Sequence, residues 1–428
     1  MITKDGVLYA QIIEKGQSIP GHEYPQPLYF MLAQPLHRIT GLSPQTAGHV
    51  TTLFFGVACI ALVYGLTLRA GGPLLAALTA TLLAVHPHTV FIDTDVSNSS
   101  LATFWIILSV LCMAKAIRDG SIFATFVCPG LVLLGIMSRR EAMALVPLMI
   151  MAPFFFFLLS SAPRFRHFLQ PTLKFILIGG ATAAVELVLA CTLIPGISNR
   201  LYEIAQASHW SLTAAPTDGA NPKAVTEFLH DAVRSIFIPL APFVLLGLAL
   251  AHRYVRNRSL TCTALFFVIC SFGTVLIRTL VHGPEFASSR YFLNAAPFVM
   301  IFAAAGLLFL RDWLRKKPAL VMLLFAIAFL PCLVYVVYPP HRNEAPYREA
   351  ADYIRKTYGA GRTVAATRSQ IAYYAGARHV QLTDGCDLSR VDFVVLRSGD
   401  EMDKLIQAGK AKSKHQFGKD VWLLEPVK

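Results

Sequence analysis

Ten apolar stretches, each long enough to cross a bilayer, follow one another along this chain: roughly 46–68, 73–92, 99–117, 121–138, 142–160, 173–195, 233–251, 260–281, 292–310 and 318–337. In lipid the backbone has no water to bond to, so such a stretch must satisfy its own amides as a helix. The composition agrees. Apolar residues make up 55% of the chain and charged residues 15%, against about 25% charged in an average soluble domain. Disorder, a coiled coil and an ordinary soluble enzyme are excluded. The expected fold class is a polytopic α-helical membrane protein of about ten spans with a small polar α/β tail.

The net charge is 38 − 25 = +13. In a membrane protein the position of the charges matters more than their sum, and no nucleic-acid partner is expected. Thirteen basic residues fall in five short connections: Arg69; Lys115 and Arg118; Arg164, Arg166 and Lys174; Arg253, Arg256 and Arg258; and Arg311, Arg315, Lys316 and Lys317. Only Asp119 and Asp312 oppose them there. The positive-inside rule makes this face cytoplasmic. The other face carries 11 of the 14 carboxylates before residue 341, together with the long connections. With an even number of spans, both ends of the chain lie on that outer side. A reporter fused after Lys317 is therefore expected to read cytoplasmic, and one fused after Lys428 extracytoplasmic. A cytoplasmic tail would overturn the orientation. Of the eight cysteines only Cys386 lies in polar sequence, so neither a disulfide framework nor a zinc site is expected.

Three regions follow. Residues 1–45 form an outer segment, 46–340 the helical membrane domain with an outer loop at 196–232, and 341–428 a soluble tail. Leu28, Leu32, Leu36 and Ile39 recur at helical spacing opposite Gln34, His37 and Arg38, as in an interfacial helix kinked at Pro35. In the tail, the pattern predicts helices at Tyr347–Thr357, Ser369–Ala375 and Asp400–Gln407. It predicts strands at Thr363–Ala366, His379–Leu382, Val391–Leu396 and Val421–Leu424.

The outer N-terminal segment carries Lys4-Asp5-Gly6-Val7-Leu8-Tyr9-Ala10, then Pro20-Gly21-His22, Pro25-Gln26-Pro27-Leu28-Tyr29 and Thr40-Gly41-Leu42. This order resembles the first outer loop of the GT-C membrane glycosyltransferases, the branch with protein O-mannosyltransferases and lipid A aminoarabinose transferases. There an acidic residue in a D-G-x-x-Y-like context follows the first span, and a Pro-Pro-Leu-Tyr-like turn leads to an interfacial helix. Gln26 separates prolines that are often adjacent in the family. No hydrophobic segment precedes Asp5 here; the expectation is that the family's first span lies upstream of this chain.

The resemblance implies a sugar carried on polyprenyl phosphate at the outer leaflet of a bacterial inner (plasma) membrane. The sugar passes to a hydroxyl of a lipid, glycan or protein acceptor. The active face and the tail would be extracytoplasmic. Asp5 becomes the base that accepts the proton of the attacking hydroxyl. On residues alone Asp5 also reads as the N-cap of a helix over Val7–Lys15. Asp93 and Asp95, in the next outer loop, fit the family's second acidic site. They would position the acceptor, orient a base or hold a divalent cation, and alternatively are solvated residues before a helix capped by Asn98 and Ser99. No metal ligand set is assigned, and a divalent metal is the one cofactor the resemblance leaves open. Arg139-Arg140-Glu141 stands where the family holds the donor phosphate. Guanidinium matches phosphate oxygens in a two-pronged way, and the alternative is snorkelling to lipid headgroups.

Arg290, beside Tyr291 and near Arg278, is a second candidate phosphate or lipid contact. Tyr9 and His22 are candidate sugar contacts, with ordinary packing as the alternative. His86 and His88 flank Pro87 with no cysteine nearby, so zinc is not expected. Glu186, a carboxylate inside a span, is expected to face other helices. The Phe154–Phe157 run reads as lipid-facing or core. Competing classes are a transporter or lipid flippase, against which stands the lack of paired broken spans, and an inactive GT-C-like fragment.

Overall fold

The computed structural model describes residues 4–15, 27–93, 96–151, 165–193, 222–255, 258–282, 292–337, 345–366, 369–382, 388–397, 400–417 and 421–427. The chain forms two compact units. One joins Met1–Glu14 to Val337–Lys428, and the other is Lys15–Val336.

The larger unit is helical: α2 (Pro27–Thr40), α3 (Pro44–Gly71), α4 (Pro73–Val85), α5 (Pro87–Asp93), α6 (Ser99–Asp119), α7 (Ile122–Ser138), α8 (Phe165–Leu193), α9 (Pro222–Ile236), α10 (Ala241–Tyr254), α11 (Arg258–His282), α12 (Ala296–Trp313) and α13 (Pro318–Val337). α1 (Lys4–Lys15) belongs, up to Glu14, with the other unit. Among the described residues five helices are long and apolar enough to cross a membrane, or six when α9 and α10 count as one span bent by 78°. Four shorter apolar helices, Pro73–Val85, Ile122–Ser138, Ala142–Met151 and Thr261–Ile277, fall on the remaining stretches. The chain is an integral membrane protein with the polytopic helical fold expected.

Local chemistry sets the helix ends. Pro44 opens α3 behind Ser43, whose Oγ accepts the Thr46 backbone N–H at 3.1 Å. Between α6 and α7, Gly120 takes the left-handed conformation (φ 61) and Ser121 Oγ then accepts from Ala124 N. The expected single span 73–92 is instead two helices. Pro87 offers no N–H and holds the preceding residue extended, so His86 sits at ψ 118 and α4 ends there. The prolines at 35 and 129 lie inside α2 and α7, which continue through them.

α12 is the core helix, with 89% of its apolar window buried. Its most extensive partner is α10. The two backbones meet at Gly247 and Gly306. A Cβ on Gly247 would lie 1.7 Å from the Phe302 carbonyl oxygen, and one on Gly306 would lie 2.1 Å from that of Phe243. Lipid tails supply no hydrophobic drive for helices to associate, so such close approach through small residues is how they gain van der Waals contact. α8 and α13 are the opposite case, each 11% buried with apolar side chains turned outward.

The smaller unit is a five-stranded sheet in the order β2-β1-β3-β5-β4, with α14 (Ala345–Tyr358), α15 (Ser369–Ala375) and α16 (Asp400–Gln407). β1 (Thr363–Ala366) pairs in parallel with β2 (Arg378–Gln381) and β3 (Phe393–Arg397). β5 (Val421–Pro426) is antiparallel to β3 and to β4 (Ala411–Phe417). Its core joins Ala350, Ala351 and Ile354 of α14 to Val364, Val395 and Leu423 of the sheet. On α1, Ile12 and Ile13 are fully buried. Burial, with the Glu14 carboxylate nearby, pushes the Tyr373 phenol of α15 up to about 12.

Candidate active site

In the larger unit the polar side chains gather where α3, α6 and α12 begin and α7 ends. The basic residues Arg69, Arg118 and Arg311 lie in the last turns of α3, α6 and α12, at the other ends of those helices. Thr52 of α3 is the first node. Its Oγ1 donates to the Ser97 carbonyl at 2.8 Å, and the Tyr29 hydroxyl of α2 lies 3.1 Å away. Tyr29 also donates to the Gly48 carbonyl at 3.0 Å, which fixes α2 to α3.

The second node is Asn98. It stands at the N-cap position of α6, but no side-chain cap bond forms. Its Nδ2 donates instead to the Ser138 carbonyl at the end of α7. That ties α6 to α7 and leaves the capping role expected of Asn98 unfilled.

Arg139 is the residue that most marks this end. It is the C-cap of α7, is 9% exposed, and donates from Nη1 to the Ser99 Oγ. A buried guanidinium must be hydrogen-bonded, because losing its water costs several kcal/mol. Beside it, Ser99, Ser100 and Thr103 of α6 join Thr89, Cys59 and Leu293 around a small cavity of about 20 Å³, room for one water. Thr103 Oγ1 donates to Asn294 Oδ1 at 3.1 Å. Asn294 is 1% exposed, and its Nδ2 has no hydrogen-bond partner among the described residues.

Of the candidate residues, Asp5 lies in the first turn of α1 rather than before it, and its side chain is outside the described set. α1 also starts earlier than the expected Val7. Tyr9 is on the same helix and is buried, at 7% exposure. Asp93 is the last residue of α5 and Arg140 the first of the 3₁₀ turn Arg140–Ala144; their side chains, with those of Glu141 and Arg278, are outside the described set. His22, Asp95, Phe154–Phe157, Arg290 and Tyr291 lie outside the described residues. Asp5 and Tyr9 therefore belong to one unit and Asp93, Arg139 and Arg140 to the other.

The histidines have a local task. His86 Nδ1 accepts the Thr89 backbone N–H at 3.3 Å at the start of α5, and the His86 and His88 rings are 6.0 Å apart. Among the described residues no group of three or more His, Cys, Asp or Glu could hold a metal ion. Glu186 faces α7, where a Cβ on Gly130 would meet its Oε1 at 3.1 Å. Thr52, Thr103 and Asn294 escaped the sequence reading. Their signal was present: each is a polar residue near the start of an apolar stretch, on the same face as the carboxylates.

No family model matches the chain, and no curated protein sequence does. Solved structures do. ArnT from Cupriavidus metallidurans in the apo state superposes with a TM-score of 0.63 at 13% identity, over 100% of this chain and 94% of that one. The same protein bound to undecaprenyl phosphate gives 0.62 at 12% identity, over 98% and 92%. The apo oligosaccharyltransferase of Archaeoglobus fulgidus gives 0.56 at 14%, over 92% of this chain and 66% of that one. At such identities the likeness is one of fold, shared over nearly the whole of this chain.

Proposed function

We propose that this protein is a glycosyltransferase that moves a sugar from a polyprenyl-phosphate carrier to an acceptor hydroxyl at the outer face of a bacterial inner membrane. The observation that carries the reading is the burial of the Arg139 side chain, hydrogen-bonded to the Ser99 hydroxyl, at the end of the bundle away from the basic helix ends. A charge there is costly, and phosphate recognition gives it a use. The GT-C fold and the undecaprenyl phosphate bound to one ArnT neighbour support the same carrier class.

In the proposed reaction the acceptor oxygen attacks the anomeric carbon. The bond from that carbon to the phosphate oxygen breaks and leaves its electron pair on the polyprenyl phosphate. Asp5 takes the proton of the attacking hydroxyl. Asp93 or Asp95 orients the acceptor. Arg139 or Arg140, with Arg290, holds the leaving phosphate and stabilises its growing charge. Tyr9 and His22 would contribute to the sugar side of the site.

Donor binding tests the phosphate site. In nanodiscs, Arg139→Ala with Arg140→Ala is expected to weaken binding of undecaprenyl phosphate by about 10- to 100-fold, the range for a lost charge-assisted hydrogen bond. Arg139→Lys keeps the charge without the planar fork and should recover only part of the loss. Unchanged affinity in the double variant, with an unchanged melting temperature, would remove Arg139 and Arg140 from the donor site. A flippase would bind the lipid as well but would transfer no sugar to any acceptor.

A further inference from the structure

The smaller unit has an opening of its own. At the amino ends of β1 and β3, Tyr358, Arg362, Asp392, Phe393, Lys412 and Glu425 line a cavity of about 530 Å³. That falls within the roughly 300–1,000 Å³ of small-molecule sites. The frame is rigid. Asp392 receives the Thr363 N–H on Oδ2 at 2.8 Å and donates its own N–H to the Thr363 carbonyl at 2.8 Å. Arg362 Nε donates to the Tyr358 carbonyl at 3.3 Å. Tyr358 and Phe393 form an aromatic pair with centroids 4.6 Å apart. Lys414 lies 4.9 Å from the Tyr358 ring centre and pairs with Glu425 Oε2 at 2.7 Å.

The chemistry of this lining selects among ligands. An apolar ligand would cover four charged side chains without offering any of them a hydrogen bond. A phosphate would meet two carboxylates. Two cationic donors and two carboxylate acceptors beside aromatic rings suit a molecule with hydroxyls around its rim and C–H bonds on its face. We propose that this cavity is a carbohydrate-binding site for a neutral sugar ring, with Tyr358 under the ring's apolar face, Arg362 and Lys412 donating to its oxygens, and Asp392 and Glu425 accepting from its hydroxyls. The site stands on its own geometry. Its service in presenting a glycan acceptor rests on the transferase reading above.

The test is saturation-transfer NMR on the full chain in phospholipid nanodiscs, since maltoside detergents carry the ligand class itself. The probes are methyl hexopyranosides and pentopyranosides, with their phosphorylated and uronate counterparts. Saturation is expected to reach the ring protons of at least one neutral glycoside. Tyr358→Ala should weaken its binding about tenfold, as for a lost aromatic contact. Glu425→Gln should weaken it as well, and Tyr358→Phe should retain it. Three results would each overturn the site: no transfer to any neutral glycoside, preference for the anionic sugars, or binding unchanged in both Tyr358→Ala and Glu425→Gln. The readout needs no turnover. A chain that keeps glycoside binding while sugar transfer proves absent loses the transferase reading and keeps the site.

Discussion

Asp5→Asn is expected to lower sugar transfer by about 10²–10⁴ while leaving the binding of polyprenyl phosphate near its original value. The substitution keeps the shape of the side chain and its position in the first turn of α1. It removes only the ability to take a proton. Donor contacts are assigned to arginines in the other unit, so affinity and turnover should separate. The measurement pairs a transfer assay, using a lipid-linked sugar and its acceptor, with a titration of undecaprenyl phosphate. Near-normal transfer in Asp5→Asn would mean that Asp5 is not the base. A parallel loss of binding and transfer would assign it to substrate positioning. The split between binding and transfer is not expected of a transporter, in which no chemical step depends on a base.

The α10–α12 crossing should be the least tolerant place in the larger unit. At Gly247 and Gly306 the atoms that an added methyl would strike are backbone carbonyls, which cannot rotate away. The helices must separate, and the contact that joins them is lost along its length. Overpacking of a core costs about 1–3 kcal/mol even where side chains can adjust. Gly247→Ala and Gly306→Ala are therefore expected to lower the melting temperature sharply, and Gly247→Leu to leave no monodisperse protein. Gly65→Ala is the control, because nothing lies within 4 Å of its added Cβ. Equal melting temperatures for Gly247→Ala and Gly65→Ala would show that the close crossing does not hold the bundle together.

Much of this architecture is readable from residue order because lipid imposes a simple rule. Each of the ten apolar stretches carries apolar helix among the described residues, five of them long enough to cross a membrane and a sixth as a bent pair, because an unpaired amide has no other partner in the bilayer. The tail elements at Thr363–Ala366, Ser369–Ala375 and Asp400–Gln407 follow the same kind of local pattern. β4 did not declare itself. Between its buried ends at Ala411 and Phe417 every residue is polar and exposed, from Lys412 to Gln416. Such a strand lies at the sheet edge and is held by its antiparallel pairing with the next strand, β5, rather than by an apolar face of its own. The lysines on it are the usual guard of an open edge.

The candidate site divides in a similar way. Arg139 stood out by sequence as a cation on the face poor in cations. Its bond to Ser99, and that of Asn98 to the Ser138 carbonyl, join residues 40 positions apart on neighbouring helices. Those partners follow from how α6 and α7 pack, which the apolar pattern leaves unspecified. Asn98 could be recognised as a cap residue by type, but the carbonyl at the end of α7 was the better partner for its amide.

α9 and α10 meet at a sharp joint. Phe237 sits there with φ 67 and ψ 110, a backbone state that a side chain opposes at a cost of order 1–3 kcal/mol. Glycine would adopt it freely, so the phenyl ring must return something. The ring lies 5.9 Å from Tyr335 of α13, edge to face, and such pairs contribute about 0.5–1.5 kcal/mol. The two quantities are of one size, so the joint sits near balance. The 78° elbow is thus held by a contact with a neighbouring helix rather than by the preference of its own backbone. Trimming the Tyr335 ring should leave that angle free to drift.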